Sequence, residues 1–443
     1  MTNGYIIRGR IVQDVFNPVL KDHAVVVEDG SIIEIGPFER IRKDYSYTIY
    51  GDRNSIVIPG FVNTHSHAVQ TFFRGAADDR ELLDWLQEVI LPGEATLNAE
   101  EAYSSSLIGY AEMLYSGITT TNDMATVHHA DKTIKAAWDS GIRAHVGKML
   151  MDRNAPSGLL QETEEAIKEA NYLASQNPKG GRVQYAYTPR FIITCSEELM
   201  KRAKEEATAR GLIYHTHAAE NLEECRTVKT MTGNDYIKAH QELKVLGKGT
   251  ILAHCVWVDD KDISLIKQSG TSISHNPSSN GKLASGISPV PKFLTATIDV
   301  GLATDGSPAT GGHDMFLEMK LASYYQKAST NDPKIMDAKT VFHLATLGGA
   351  KALGMENEIG SIKVGKKADI VVLNPTFPNS YPLYNEFSYV VYSATKREVQ
   401  HVFCDGKLLI SNGKFHMDLS SAFQEAEVYA EKMPWKKRIT ISS

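Results

Sequence analysis

The feature that most constrains the fold is an alternation running from about residue 59 to residue 354. Eight apolar, strand-like runs, "GFVNTHSH", "GITTTNDM", "IRAHVGKML", "VQYAYTP", "GLIYHTH", "TILAHCV", "TSISHNP" and "VGLATDG", are separated by longer stretches with helical periodicity. The clearest helix is "RELLDWLQEVI", where Leu82, Leu83, Leu86, Val89 and Ile90 share a face. Eight βα units in about 300 residues suit an α/β fold of the (β/α)8 TIM-barrel type, residues 59–354.

Both ends of the chain read differently. Residues 1–58 hold short alternating segments such as "HAVVVEDGSIIEIG", and residues 355–443 return to that character in "GSIKVGKKADIVVLN" and "VQHVFCDGKLLISNGKF". Asp29-Gly30 and Asp405-Gly406 are hairpin signals. The two ends are expected to pair into one small β-sandwich domain beside the barrel.

Composition narrows the partners. The chain has 443 residues, 42% of them hydrophobic, and a net charge of −6 without a dense Lys/Arg run. Nucleic acid and anionic membrane surfaces both call for a concentrated basic patch, so small solutes are the expected partners. There is no basic segment followed by a long apolar one at the N-terminus, and no run near the roughly 18 apolar residues of a membrane span. The four cysteines, Cys195, Cys225, Cys255 and Cys404, form no C-x-x-C pair. A reducing cytoplasm is the expected location.

Chemistry gathers where a barrel keeps its active site, at the C-terminal ends of its strands. His65 and His67 end the first run, His217 the fifth, His254 the sixth and Asp305 the eighth. An H-x-H pair alone reads equally as two ligands or as polar residues at a strand end. Joined by a third imidazole and a carboxylate, it becomes a nitrogen and oxygen set suited to Zn²⁺ or Fe²⁺ with one position left for water. In "HTHAAEN", Glu220 stands three residues after His217, near enough to shuttle protons beside a ligand. His215 is expected one layer deeper, as a hydrogen-bonded histidine.

Taken together, "PGFVNTHSHAVQTFFRG", "HTHAAEN", "LAHCVW", "SHNPSSNGKLASGISPV", "ATDG" and "GSIKVGKKADIVVLN" resemble the amidohydrolase superfamily over nearly the whole chain. Within it they are similar to the aminohydrolase branch of methylthioadenosine/S-adenosylhomocysteine, 5'-deoxyadenosine and guanine deaminases and triazine hydrolases. The resemblance implies one catalytic metal held by His65, His67, His217 and Asp305. It also implies Glu220 as proton shuttle, Asp305 as acceptor of the water's proton, and His254 as the group that orients the attacking oxygen. A divalent cation lowers the pKa of a coordinated water from about 15.7 towards about 7, which makes hydroxide available at neutral pH. Binuclear members carry a carbamylated lysine on the fourth strand, and "RVQYAYTP" has none. Lys148, on the third, is expected to be a surface or loop-facing charge.

For the substrate the resemblance points two ways. Trp85 and Glu94 match positions that enclose a nucleoside and bind ribose hydroxyls, whereas Gln70 and Arg190 match guanine and triazine enzymes. The expectation is a deaminase of an adenosine-type nucleoside: 5'-deoxyadenosine, methylthioadenosine or S-adenosylhomocysteine. The alternatives are a guanine or pterin deaminase, an s-triazine amino- or chlorohydrolase, or a non-catalytic barrel scaffold. A cytidine-type deaminase is excluded, because it needs a P-C-x-x-C ligand pair. Relatives are often dimers or larger, so a homo-oligomer is expected. His313 has no assigned role; His128 and His129 are read as loop residues, and His275, Ser278, Ser279 and Asn280 as supports of a strand end. His145, His240, His343 and His401 carry no spacing argument.

Overall fold

The computed structural model describes residues 4–76 and 78–433; residues 1–3 and 434–443, the outer ends of the two expected β regions, lie outside them. Eight parallel strands run in sequential order around a barrel. They are β1 (Phe61–Ser66), β2 (Ile118–Met124), β3 (Arg143–Gly147), β4 (Val183–Pro189), β5 (Ile213–Ala218), β6 (Thr250–His254), β7 (Ser272–His275) and β8 (Val300–Leu302). Each corresponds to one of the runs read from the sequence. A short piece, Met149–Leu150, continues β3 along β4.

Closure between β8 and β1 depends on side chains as much as backbone. Asn63 Nδ2 donates to Thr304 Oγ1 (2.9 Å), and the Thr304 amide donates back to Asn63 Oδ1 (3.0 Å). One rung higher, Ser66 and Asp305 form a parallel bridge and the Asp305 amide reaches the His65 carbonyl at 3.1 Å. That seam sets the Asp305 carboxylate beside the histidines of β1. At the opposite end, Val62, Ala186, Ile213 and Ile251 pack against Ala350, Leu353, Met355 and Ile359, so the barrel floor is an apolar plug.

The chain ends meet in one nine-stranded mixed sheet in which strand Ile370–Leu373 pairs antiparallel with Ile56–Pro59. Both Asp-Gly pairs are two-residue hairpin turns with positive φ throughout: 46° and 81° at Asp29-Gly30, 50° and 75° at Asp405-Gly406. Those angles belong to the turn whose twist matches a right-handed hairpin. The two turns also abut, for a Cβ on Gly406 would overlap Gly30 Cα.

Barrel and sheet are joined by a buried ion cluster. Arg143, at the start of β3 and 3% exposed, donates Nε and Nη2 to the two oxygens of Asp369 (3.0 Å each) and Nη2 to Asp405 (3.0 Å). Breaking a buried pair strands a charge in low dielectric, at a cost of about 3–5 kcal/mol. Arg143→Ala is therefore expected to lower unfolding free energy by about that amount in a denaturant titration. Loss of the exposed Lys201–Glu197 pair is expected to change it by less than about 1 kcal/mol.

The helical stretch expected at Leu82–Ile90 forms, but its middle turn, Leu86–Ile90, is a widened π turn between Leu82–Trp85 and Leu91–Thr96. Leu82, Leu86, Val89 and Ile90 are buried as expected; Leu83 is only half-buried, and Trp85 takes its place on the inner face. Among the described residues, no helix is long and apolar enough to cross a membrane.

Candidate metal centre and active site

Three imidazoles converge at the upper mouth of the barrel. His67 Nδ1 lies 2.9 Å from the Met124 carbonyl and His217 Nδ1 lies 2.8 Å from the Arg190 carbonyl. A carbonyl only accepts, so both rings carry their proton on Nδ1 and present bare Nε2 lone pairs. Those two lone pairs face each other at 3.2 Å. His65 Nε2 is buried without a hydrogen bond, 3.3 Å from Asp305 Oδ1. Burial pushes His67 and His217 well below their usual pKa and His65 below its own, where Asp305 opposes the shift. Opposed lone pairs are repulsive unless a cation lies between them, and neutral imidazoles with a carboxylate are its usual ligands. The donor set therefore fits a divalent metal: the liganding atoms of His65, His67 and His217, and those of His65, His254 and Asp305, lie within 4.8 Å of one another.

The strand ends that carry these groups turn sharply. Ala219, His254 and Asp305 have φ of 50°, 75° and 58°, the sparsely populated left-handed region, where non-glycine residues persist only when their surroundings fix them. The surroundings do so. His215 Nε2 stands 3.0 Å behind His65 Nδ1, in the deeper layer read from the sequence. Ser279 donates to Asp305 Oδ2 at 2.6 Å, and the Gly306 amide donates to Oδ1 at 2.7 Å. His254 Nδ1 is 2.9 Å from Asn280 Oδ1, with Asn276 Nδ2 at 3.1 Å. The Glu220 amide donates to Glu224 Oε2 (2.8 Å), whose other oxygen accepts from the Tyr236 hydroxyl (2.5 Å).

Two carboxyls close together are driven in opposite directions. Burial, then the neighbouring Asp305 and Glu224 charges, push Glu220 well above the carboxylate range. Burial acts on Asp305 too, but His65, His254 and His67 outweigh it and hold that group well below. Pairs of titratable groups pushed apart in this way define an acid and a base. His254 Nε2 sits between them, 3.4 Å from Glu220 Oε2 and 4.0 Å from Asp305 Oδ2.

Behind Ser279 and Asn280 stands Glu318, 1% exposed, which accepts the Ser278 amide at 3.1 Å and the Ser278 hydroxyl in a short contact. Burial raises its carboxyl to about 8. Such a group binds more protons folded than unfolded, so stability falls as pH rises from the ordinary carboxylate range towards about 8. Glu318→Gln is expected to remove that fall, whose slope is at most about 1.4 kcal/mol per pH unit, in denaturant titrations between about pH 5 and 9.

Above the cluster is a narrow cavity lined by His67, Leu82, Trp85, Leu86, Arg190, Phe191, His217, Glu220 and Asp305. Gln70 and Glu94 form its next layer: Gln70 Nε2 donates to Glu94 Oε1 at 2.8 Å, leaving Gln70 Oε1 and Glu94 Oε2 buried without partners. Burial raises the Glu94 carboxyl, against the opposing pull of Arg190. All four substrate-side residues named from the sequence are buried; Trp85 and Arg190 line the cavity, and Gln70 and Glu94 are not among its lining residues. A larger cleft lies between Arg153, Met200, Met231 and Glu242 and contains none of these groups.

One reading is corrected in part: Lys148 faces a loop, as expected, but is buried. Lys148 is not at the surface: it is 2% exposed, its ammonium held by the Val127 carbonyl of the loop after β2 and by Glu169 at 2.8 Å. A lysine buried this deeply needs both partners, neither of which neighbours it in sequence. His313 lies outside the cavity lining, with Nδ1 2.9 Å from Thr304 Oγ1. His128 and His129 are in the loop after β2, and His275 ends β7. Sequence reasoning missed Asn276, Glu224 and Glu318 altogether. The capping box of Asn221 and Glu224 was the one available signal for the second.

Comparison with known proteins gives consistent matches. A family model described as the amidohydrolase family matches residues 56–409. The 5'-deoxyadenosine deaminase of Methanosarcina acetivorans is 39% identical over 418 residues, 94% of each chain. The 5-methylthioadenosine/S-adenosylhomocysteine deaminase of Syntrophobacter fumaroxidans is 37% identical over 390 residues, 88% of each. Among solved structures, an adenosine deaminase from Xanthomonas campestris with bound zinc superimposes with a TM-score of 0.91 at 29% identity, covering 96% of this chain and 98% of the other.

Proposed function

The chain belongs to the amidohydrolase family, and from that premise we propose that it is a zinc-dependent hydrolytic deaminase of an adenosine-type nucleoside, with 5'-deoxyadenosine, methylthioadenosine and S-adenosylhomocysteine as candidate substrates. The observation that carries the reading is the geometry of the imidazole cluster: His67 and His217 Nε2 opposed at 3.2 Å, His65 Nε2 3.3 Å from Asp305, and the Glu220 carboxyl 3.4 Å from His254 in the lining of the same cavity. His65, His67, His217 and Asp305 would hold the metal, which would supply the charge that makes water nucleophilic at neutral pH.

The chain's own groups account for the remaining steps. Asp305 accepts a proton from the incoming water. Glu220 gives its proton to the ring nitrogen next to the attacked carbon, and His254 Nε2 steadies the oxygen that adds there. The proton taken by Asp305 then passes to the exocyclic amine, which leaves as ammonia, and as the ring carbon becomes a carbonyl the proton left on the added oxygen returns to Glu220, so that both carboxyls regain their starting states. The balance is one water consumed and one ammonia released.

Glu94, through its unpartnered Oε2, is suited to accept from the sugar hydroxyls, with Trp85 enclosing that side and Gln70 fixing the carboxyl. Arg190 favours a second reading, guanine or a pterin, because its guanidinium offers several donors to a ring carbonyl.

The test is ammonia release from the zinc-loaded chain offered the three adenosine-type nucleosides, guanine, a pterin and an amino-triazine. Turnover of at least one nucleoside above all three free heterocycles is the expected result. If no nucleoside is turned over, the reading falls; turnover confined to guanine or the pterin selects the second.

A further inference from the structure

The last helix among the described residues, Ser420–Lys432, follows the terminal sheet in the chain but does not pack as part of it. It lies against the barrel-side helix Ala99–Tyr115 and the turn Ala68–Phe73, anchored at its end by the Lys432–Glu101 pair at 3.1 Å. Its one large buried side chain is Tyr429, 1% exposed. The Tyr429 ring stands 5.3 Å from that of Phe72 and 5.9 Å from that of Phe73. Its hydroxyl is 3.4 Å from Thr96 Oγ1, which donates to the Gly93 carbonyl at 2.7 Å.

These contacts fall on two separate segments. Phe72 and Phe73 follow Gln70 in the turn after β1, while Gly93 and Thr96 flank Glu94 at the end of the stretch that also carries Trp85. Phe73 packs directly under Gly93, where an added Cβ would come within 3.1 Å of its ring. The segments meet at the Gln70–Glu94 hydrogen bond, and the Tyr429 ring is wedged against both a few residues away.

We propose that Tyr429 is a positioning residue for substrate recognition, setting the separation of the Gln70 and Glu94 segments and thereby the site for the sugar hydroxyls. The inference rests on the reading of Glu94 as their acceptor. It makes helix Ser420–Lys432 a determinant of which substrates carry a sugar, although no residue of that helix lines the cavity.

The experiment compares the full-length, zinc-loaded chain with Tyr429→Phe, Tyr429→Ala and Phe72→Leu, using the best nucleoside substrate and adenine as a competitive inhibitor lacking the sugar. Tyr429→Ala is expected to raise KM about tenfold with kcat within about twofold, the pattern of lost uniform binding, while the adenine inhibition constant stays within about twofold. Tyr429→Phe keeps the ring and is expected to retain KM within about twofold. Glu94→Ala combined with Tyr429→Ala is expected to have the KM of Glu94→Ala alone, since both act on one contact. Should Tyr429→Ala fail to fold, Phe72→Leu carries the same prediction with a smaller rise. An unchanged KM in the folded variants, or equal rises for nucleoside and adenine, overturns the proposal while leaving the deaminase reading intact. A wild-type chain that turns over no nucleoside overturns the reading, and the proposal with it.

Discussion

Glu220→Gln is expected to lower kcat by about 10²- to 10⁴-fold, the usual share of a positioned general acid, with zinc content unchanged. Glutamine fits the same volume, and the backbone amide still reaches Glu224, so the fold has no reason to move. What is lost is a proton that burial and the charges of Asp305 and Glu224 keep on the carboxyl. Because the acid form is the active one, the wild-type rate is expected to decline as pH rises through the raised Glu220 pKa. The decline should be absent from the residual activity of the variant. A variant with wild-type kcat would remove Glu220 from the chemistry; steady-state ammonia release across a pH series, with metal analysis on the same samples, decides it.

Metal removal is the second large effect. Chelation is expected to take activity to background and zinc to restore it, because the lone pairs of His67 and His217, 3.2 Å apart, have nothing else to share. His67→Ala and His217→Ala are expected to lose zinc and activity together. A ligand bound only by the folded state at 100 times its Kd stabilises by about 2.7 kcal/mol, so the stripped protein should also unfold at lower temperature. A chain that binds no transition metal and remains inactive after reconstitution would instead be a barrel without catalysis. Elemental analysis of the purified protein also separates zinc from iron.

Most of the barrel was legible because its signals are local. Each of the eight runs is a short apolar segment bounded by turn residues, and the Asp-Gly pairs at 29–30 and 405–406 need positive φ that few other pairs tolerate. The grouping of His65, His67, His217, His254 and Asp305 followed from strand ends alone, since a sequential parallel barrel brings all such ends to one rim. What could not be read depends on contacts between distant segments. Asn276 on His254, Glu318 on Ser278 and Glu169 on Lys148 are pairings that no periodicity encodes. The π turn at Leu86–Ile90 is similar: the apolar spacing fits an ordinary helix and carries no signal for the wider turn. The return of helix Ser420–Lys432 to the barrel likewise rests on contacts between distant segments, Tyr429 on Phe72 and Phe73 and Lys432 on Glu101.

The pairing of Ile56–Pro59 with Ile370–Leu373 also bears on how the protein is made. At ~5–20 residues per second on the ribosome, the apolar strand Ile56, Val57, Ile58 waits on the order of 15 to 60 s before its partner emerges. Throughout that interval the nascent chain carries an unpaired strand edge, a template for pairing with the wrong neighbour. Chains cut short before Ile370 lack the partner of that edge and are expected to aggregate more than the full chain, as sedimentation of the two would show.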